Sequence, residues 1–156
     1  TPPVPYLDPL TFNFDRDVSL LDETAAINDP NGALHSTFAG RGGKLILYHG
    51  NSDQAMATGV LTDWYNRLLP RNQKGPQDWA RLYLVPGMLH CAGGQATDQF
   101  DMLEAIQQWV EHGRAPDKVL ASGNAFPGRT RPLCPYPAVA RYDGGDPESA
   151  ASFSCR

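Results

Sequence analysis

Several things are scarce or absent in this sequence, and each scarcity narrows the explanations. No apolar run approaches the roughly 20 residues that a membrane-spanning helix needs. Basic charge is not in excess: Lys and Arg total 13 against 17 Asp and Glu, a formal net charge of −4. There is no basic run and no interleaving of basic with aromatic residues, which argues against nucleic acid as a partner. Cysteine is limited to three, an odd number. In an exported protein two can pair and one is left over, either free or bonded to a partner outside these residues. Nothing matches the Gly-x-Ser-x-Gly elbow that presents a nucleophilic serine. Gly50-Asn51-Ser52-Asp53-Gln54 comes nearest, and Gln54 breaks it. Thr1-Pro2-Pro3-Val4-Pro5 lacks the charged start and apolar centre of a signal peptide, as a mature or truncated chain would.

What is present fits one domain: 156 residues, 41% of them hydrophobic, with 15 Gly and 14 Pro that imply much turn and loop. Residues 1–42 read as an N-terminal arm and a short helix. Phe12 and Phe14 alternate with polar residues, as in a short strand or an extended arm wrapping a neighbouring body. Asp15-Arg16-Asp17 reads as a solvated turn, and Gly32 to Ala39 as a short helix.

Residues 43–156 carry the stronger patterns. Lys44 to His49 is a nearly continuous apolar run, the pattern of a parallel strand covered on both faces. A helix is predicted from Ala57 to Leu69, with Leu61, Trp64, Tyr65 and Leu68 on one face and Pro70 as its stop. Ala80 to Val85 is a second strand. A helix from Thr97 to His112 follows, with Phe100, Leu103, Ile106 and Val110 inward, Thr97 as N-cap and Gly113 at its end. Strands alternating with helices imply a parallel α/β sheet. Two strands leave its edges bare, so the pattern looks like the last portion of a larger α/β domain. Lys118 to Ala121 reads as extended, and Pro-rich Arg129 to Pro137 is not helix. Cys134 and Cys155 stand 21 positions apart in the tail. A bridge there would contribute on the order of 3 kcal/mol by chain entropy; the alternative is two reduced thiols.

The chemistry concentrates in the turns after the two strands. Asp53 lies in the first and His90 in the second, 37 residues later. In a parallel sheet both turns emerge at one edge, so a carboxylate and an imidazole can meet. A carboxylate on one imidazole nitrogen fixes the tautomer and frees the other nitrogen to take a proton from a nucleophile. The order also suits the second and third members of a Ser, Asp, His series. The plainer alternative is a hydrogen-bonded turn Asp and an unrelated loop His. Ser52 stands in a broken motif and Cys91 adjoins His90 too closely in sequence, so neither is favoured as nucleophile. His90, Cys91, Asp98 and Asp101 have no recognised zinc-ligand spacing. Trp64, Trp79 and Phe126 are candidates to line a pocket, with ordinary packing as the alternative.

Three stretches carry a resemblance: Gly43-Lys44-Leu45-Ile46-Leu47-Tyr48-His49-Gly50-Asn51-Ser52-Asp53, then Val85-Pro86-Gly87-Met88-Leu89-His90-Cys91-Ala92-Gly93-Gly94, then Arg129-Thr130-Arg131-Pro132-Leu133-Cys134-Pro135-Tyr136-Pro137. With the ending Ala150 to Cys155 they resemble the C-terminal third of the tannase/feruloyl esterase family, over nearly all of residues 43–156. The resemblance implies a secreted or periplasmic serine esterase with an α/β-hydrolase core and a lid. It implies Asp53 as the acid and His90 as the base. It pairs Cys134 with Cys155, and Cys91 with a cysteine outside this chain that precedes the nucleophilic serine. The implied substrates are aromatic acid esters such as gallates, ferulates and terephthalate monoesters.

The departure is as informative. The family's Cys-Ser segment, oxyanion hole, calcium-binding lid and first strands have no counterpart here; Ser154-Cys155 is the reverse dipeptide. The expectation is therefore a C-terminal part of an α/β-hydrolase fold, with no cofactor of its own and calcium confined to the absent lid. Its partners would be the remainder of the hydrolase and a small ester. The competing expectation is a non-catalytic interaction module that keeps the surface without the activity.

Overall fold

Strand β2 (Ala80–Val85) forms over the predicted residues, and the core gathers on both of its faces. Alternate side chains of a strand point opposite ways. Ala80 and Leu82 face helix α3 (Thr58–Arg67), where Tyr65, Leu61, Trp64, Leu68 and Trp79 pack on them. Tyr83 and Val85 face the other side and meet Met88, Ala96, Val119, Ala121 and Leu133. Strand β1 (Leu45–Gly50) runs parallel to β2 in a register from Leu45↔Ala80 to Gly50↔Val85. In this computed structural model residues 10–28, 35–68 and 76–156 are described, and they fall into two compact units, 1–34 and 35–156.

The predicted α/β arrangement is present: parallel strands flanked by helices, with a disulfide-closed tail. Complete cover of β1 is not. Its side chains are mostly half-buried and Tyr48 is 46% exposed. The reason lies at the strand edges. β2 is bonded by β1 on one side and by the tail on the other, where the Tyr136 amide donates to the Leu82 carbonyl at 2.7 Å. β1 has a strand on one side only among the described residues.

Helix α4 (Met102–His112) starts later than predicted. Asp101, not Thr97, is its N-cap, accepting the Glu104 amide at 2.8 Å, and Thr97 is buried in the preceding loop. Its inward stripe is different in part: Phe100 packs on the core as predicted and Ile106 is half-buried. Met102 and Ala105 pack on the core and Trp109 is 3% exposed, whereas Leu103 and Val110 point outward at 77% and 62% exposure. Two apolar stripes compete on this helix, and the one carrying the indole removes more area from water. Arg81 and Lys44 complete the Trp109 site, their charged groups 4.9 and 5.3 Å from the ring centre. Gly113 ends the helix in the left-handed conformation at φ +68°, as predicted.

The tail is more regular than its prolines suggest. Strands β3 (Val119–Ala121) and β4 (Arg131–Leu133) pair antiparallel, as do β5 (Ala140–Tyr142) and β6 (Phe153–Cys155). Cys134 and Cys155 form the disulfide, Cα to Cα 5.4 Å.

The N-terminal unit departs from the extended arm. A 3-10 turn at Val18–Leu21 leads into helix α1 (Asp22–Asn28), and neither buries a residue. The side-chain oxygen of Asn13 accepts the Asp15 and Arg16 amides, folding a turn where a strand was expected. The exposed Arg16–Asp17 pair fits the solvated turn predicted there. Helix α2 (His35–Gly40) occupies the second half of the predicted Gly32–Ala39 helix. The start of that helix, the Thr1–Pro5 segment, Leu69, Pro70 and most of the following polar loop lie outside the described residues.

Candidate active site

The turns leaving β1 and β2 are stitched together by backbone. The Asn51 amide donates to the Val85 carbonyl and the Ser52 amide to the Met88 carbonyl, both at 3.0 Å. Gly50 permits that seam, because a Cβ there would overlap the carbonyl oxygens of Met88 and Leu89. The second turn closes on itself as a small hairpin. Met88 and Gly94 bridge, and the Leu89 amide donates to Gly93 at 3.2 Å. Asp98 accepts the Gly93 amide at 2.7 Å and braces the hairpin from outside. His90 and Cys91 sit at the tip, where Cys91 holds φ +69°, a backbone region that side chains disfavour.

The two predicted residues meet. His90 Nδ1 lies 2.7 Å from Asp53 Oδ2. Asp53 Oδ1 accepts two backbone amides, Ala55 at 2.8 Å and Met56 at 3.1 Å. The carboxylate is thus an acceptor on both oxygens, with its charge matched by donors. The His90 hydrogen bond is the chief cause that holds the Asp53 carboxyl down at about 2; the two amides add to this, and desolvation opposes it. A carboxylate that accepts from Nδ1–H leaves the His90 Nε2 lone pair available to a proton donor.

The other candidates disperse. Ser52 contributes its amide to the seam, and among the described residues the His90 ring hydrogen-bonds Asp53 alone. Cys91 is a free, exposed thiol in this chain. Among the described residues no three His, Cys, Asp or Glu side chains converge as a metal site needs; Asp98 braces the hairpin and Asp101 caps α4. Trp64 and Trp79 belong to the packing under β2. Phe126 does line a cavity of about 400 Å³, with Arg129, Arg131, Pro86 and Gly87.

Sequence reasoning missed His49. Its Nε2 lies 3.0 Å from the Met56 carbonyl and its Nδ1 3.8 Å from Asp53 Oδ2, on a side chain 11% exposed. A signal was available: a lone polar ring ending an apolar strand, four positions before the acid.

Comparison with known proteins places the chain in a family. A family model described as tannase and feruloyl esterase matches residues 3–156. The chain is 50% identical over 127 residues to the mono(2-hydroxyethyl) terephthalate hydrolase of Piscinibacter sakaiensis, covering 77% of this chain and 21% of that protein. It is 32% identical over 150 residues to a probable feruloyl esterase of Arthroderma benhamiae, covering 91% of this chain and 27% of that one. The crystal structure of feruloyl esterase B from Aspergillus oryzae superposes with a TM-score of 0.77 at 26% identity, over 96% of this chain and 34% of that one. The chain therefore spans about a fifth to a third of the length of the relatives it matches.

Proposed function

The chain belongs to the tannase and feruloyl esterase family, and from that premise we propose that it supplies the acid and base of a carboxylic ester hydrolase acting on aromatic acid esters. The observation that carries the reading is the Asp53–His90 contact at the shared edge of the two parallel strands. Asp53 keeps the ring proton on Nδ1. Nε2 takes the proton of a serine hydroxyl as its oxygen attacks the ester carbonyl, and the imidazolium that forms is stabilised by Asp53. Nε2 then returns the proton to the departing alcohol oxygen. Water repeats the sequence on the acyl-enzyme and releases the acid. The serine, its oxyanion hole and the lid belong to a segment outside these 156 residues, and Cys91 is disulfide-bonded to a cysteine beside that serine. Such bridges, with Cys134–Cys155, suit a secreted or periplasmic protein. The names of the relatives point to ferulates and terephthalate monoesters as substrates to try, and the family resemblance adds gallates.

The test compares the full-length protein that contains this segment with the 156-residue chain, on p-nitrophenyl esters and then on ferulate, gallate and terephthalate monoesters. Full-length protein should hydrolyse and the isolated chain should not. Non-reducing peptide maps should join the Cys91 peptide to one holding a Cys-Ser pair. Turnover by the isolated chain would refute an external nucleophile. Inert full-length protein would leave the non-catalytic interaction module standing.

A further inference from the structure

We propose that His49 is a positioning residue for the Asp53–His90 pair, one that works only as the Nε2–H tautomer. The proposal rests on the reading of that pair given above, and its test does not depend on ester turnover.

The argument starts from what each ring nitrogen faces. The partner of Nε2, at 3.0 Å, is the Met56 main-chain carbonyl, which can only accept. Nε2 must therefore carry a proton. In the neutral ring Nδ1 then carries none, and it is this bare nitrogen that lies 3.8 Å from Asp53 Oδ2. That distance is beyond a hydrogen bond. Oδ2 is the same oxygen that accepts from His90, while Oδ1 is occupied by the Ala55 and Met56 amides. A proton on Nδ1 of His49 would make it a second donor aimed at Oδ2, in competition with His90.

The Met56 bond thus does two things at once. It ties the end of β1 to the far side of the Asp53 turn, a six-residue span that also presents two amides to Oδ1. It also fixes which nitrogen of His49 is bare, and so leaves Oδ2 to His90. His49 and Asp53 are 11% and 2% exposed at their side chains, so water supplies little alternative solvation for either. His90, at 58%, has ample contact with water and relies on Asp53 for its orientation. Among the described residues Asp53 is the titratable group that the contacts place against this ring, and His90 meets the same Asp53 oxygen.

Long-range ¹H–¹⁵N correlation of the imidazoles in the full-length protein that contains this segment, with His49 and His90 assigned by substitution, tests this directly. In the unaltered protein His49 should give the Nε2–H pattern and His90 the Nδ1–H pattern; an Nδ1–H pattern for His49 would overturn the proposal without any variant. His49→Ala should erase the Nδ1–H pattern of His90. His49→Gln, whose amide nitrogen can still donate to Met56, should restore it. Retention of the His90 pattern in folded His49→Ala would overturn the proposal, as would its loss in folded His49→Gln. In the full-length enzyme the alanine variant should lower kcat by up to about 100-fold with KM nearly unchanged, the cost of a misplaced reacting group. Inert full-length enzyme alongside the expected spectra would count against the ester chemistry, not against the role of His49.

Discussion

The two turns at the sheet edge are joined by a backbone seam and by the Asp53–His90 bond, yet they hold those two side chains very differently. On the β1 side the Asp53 carboxylate is 2% exposed and each of its oxygens is taken by donors from the protein. On the β2 side His90 is 58% exposed at the tip of a hairpin and bonds to that carboxylate alone among the described residues. The acid is therefore held by many short contacts and the base by one. Such a division would suit the proposed proton transfer, with a fixed orienting group and a proton carrier open to solvent. The contrast also says where the site is brittle.

The largest effect should come from breaking the sealed side. Asp53→Asn keeps the shape but removes the charge that favours Nδ1–H on His90, and kcat of the full-length enzyme should fall by about 10⁴-fold, read as single-turnover hydrolysis. Next is the seam. Gly50→Ala forces a methyl into the Met88 and Leu89 carbonyls and should destabilise the chain by about 2–3 kcal/mol, read from the denaturation midpoint. The open side should behave oppositely. Cys91→Gly removes a side chain from a left-handed position and should stabilise the isolated chain by about 1 kcal/mol. A destabilised Cys91→Gly would mean that the hairpin tip is as constrained as the seam, and the contrast would collapse. A further effect concerns acid. Asp53 titrates at about 2 when folded, below the ordinary value near 4. A lowered folded value adds stability that is complete above the unfolded one and is lost as pH falls through the folded one. Stability should therefore decline between about pH 4 and pH 2, and less steeply in Asp53→Asn, by acid titration of circular dichroism.

The parts of this picture that were legible in sequence are those set by local pattern. The runs Leu45–Leu47 and Ala80–Val85 have one reading each, and a parallel pair sends both following turns to the same edge, so Asp53 and His90 could be brought together on paper. The errors have specific causes. Thr97 and Asp101 both suit a helix cap, and the choice was made by tertiary packing that buries Thr97. Leu103 and Trp109 lie on competing stripes of one helix, and the larger side chain won. Strands of three residues, such as β4 with Pro132 inside it, are too short to show a period. The turn at Asn13 depends on side-chain to backbone bonds that alternation of Phe12 and Phe14 does not report. His49 escaped because its role depends on which atom of each ring nitrogen's neighbour it faces, and no spacing encodes that.

The Cys134–Cys155 bond has one more consequence. It makes residues 134–155 a covalent ring, and the stretch 141–148 within that ring is exposed. A protease that cuts there opens the ring without releasing anything. The two new ends remain on one molecule, so a nicked tail migrates as intact protein until a reductant is added.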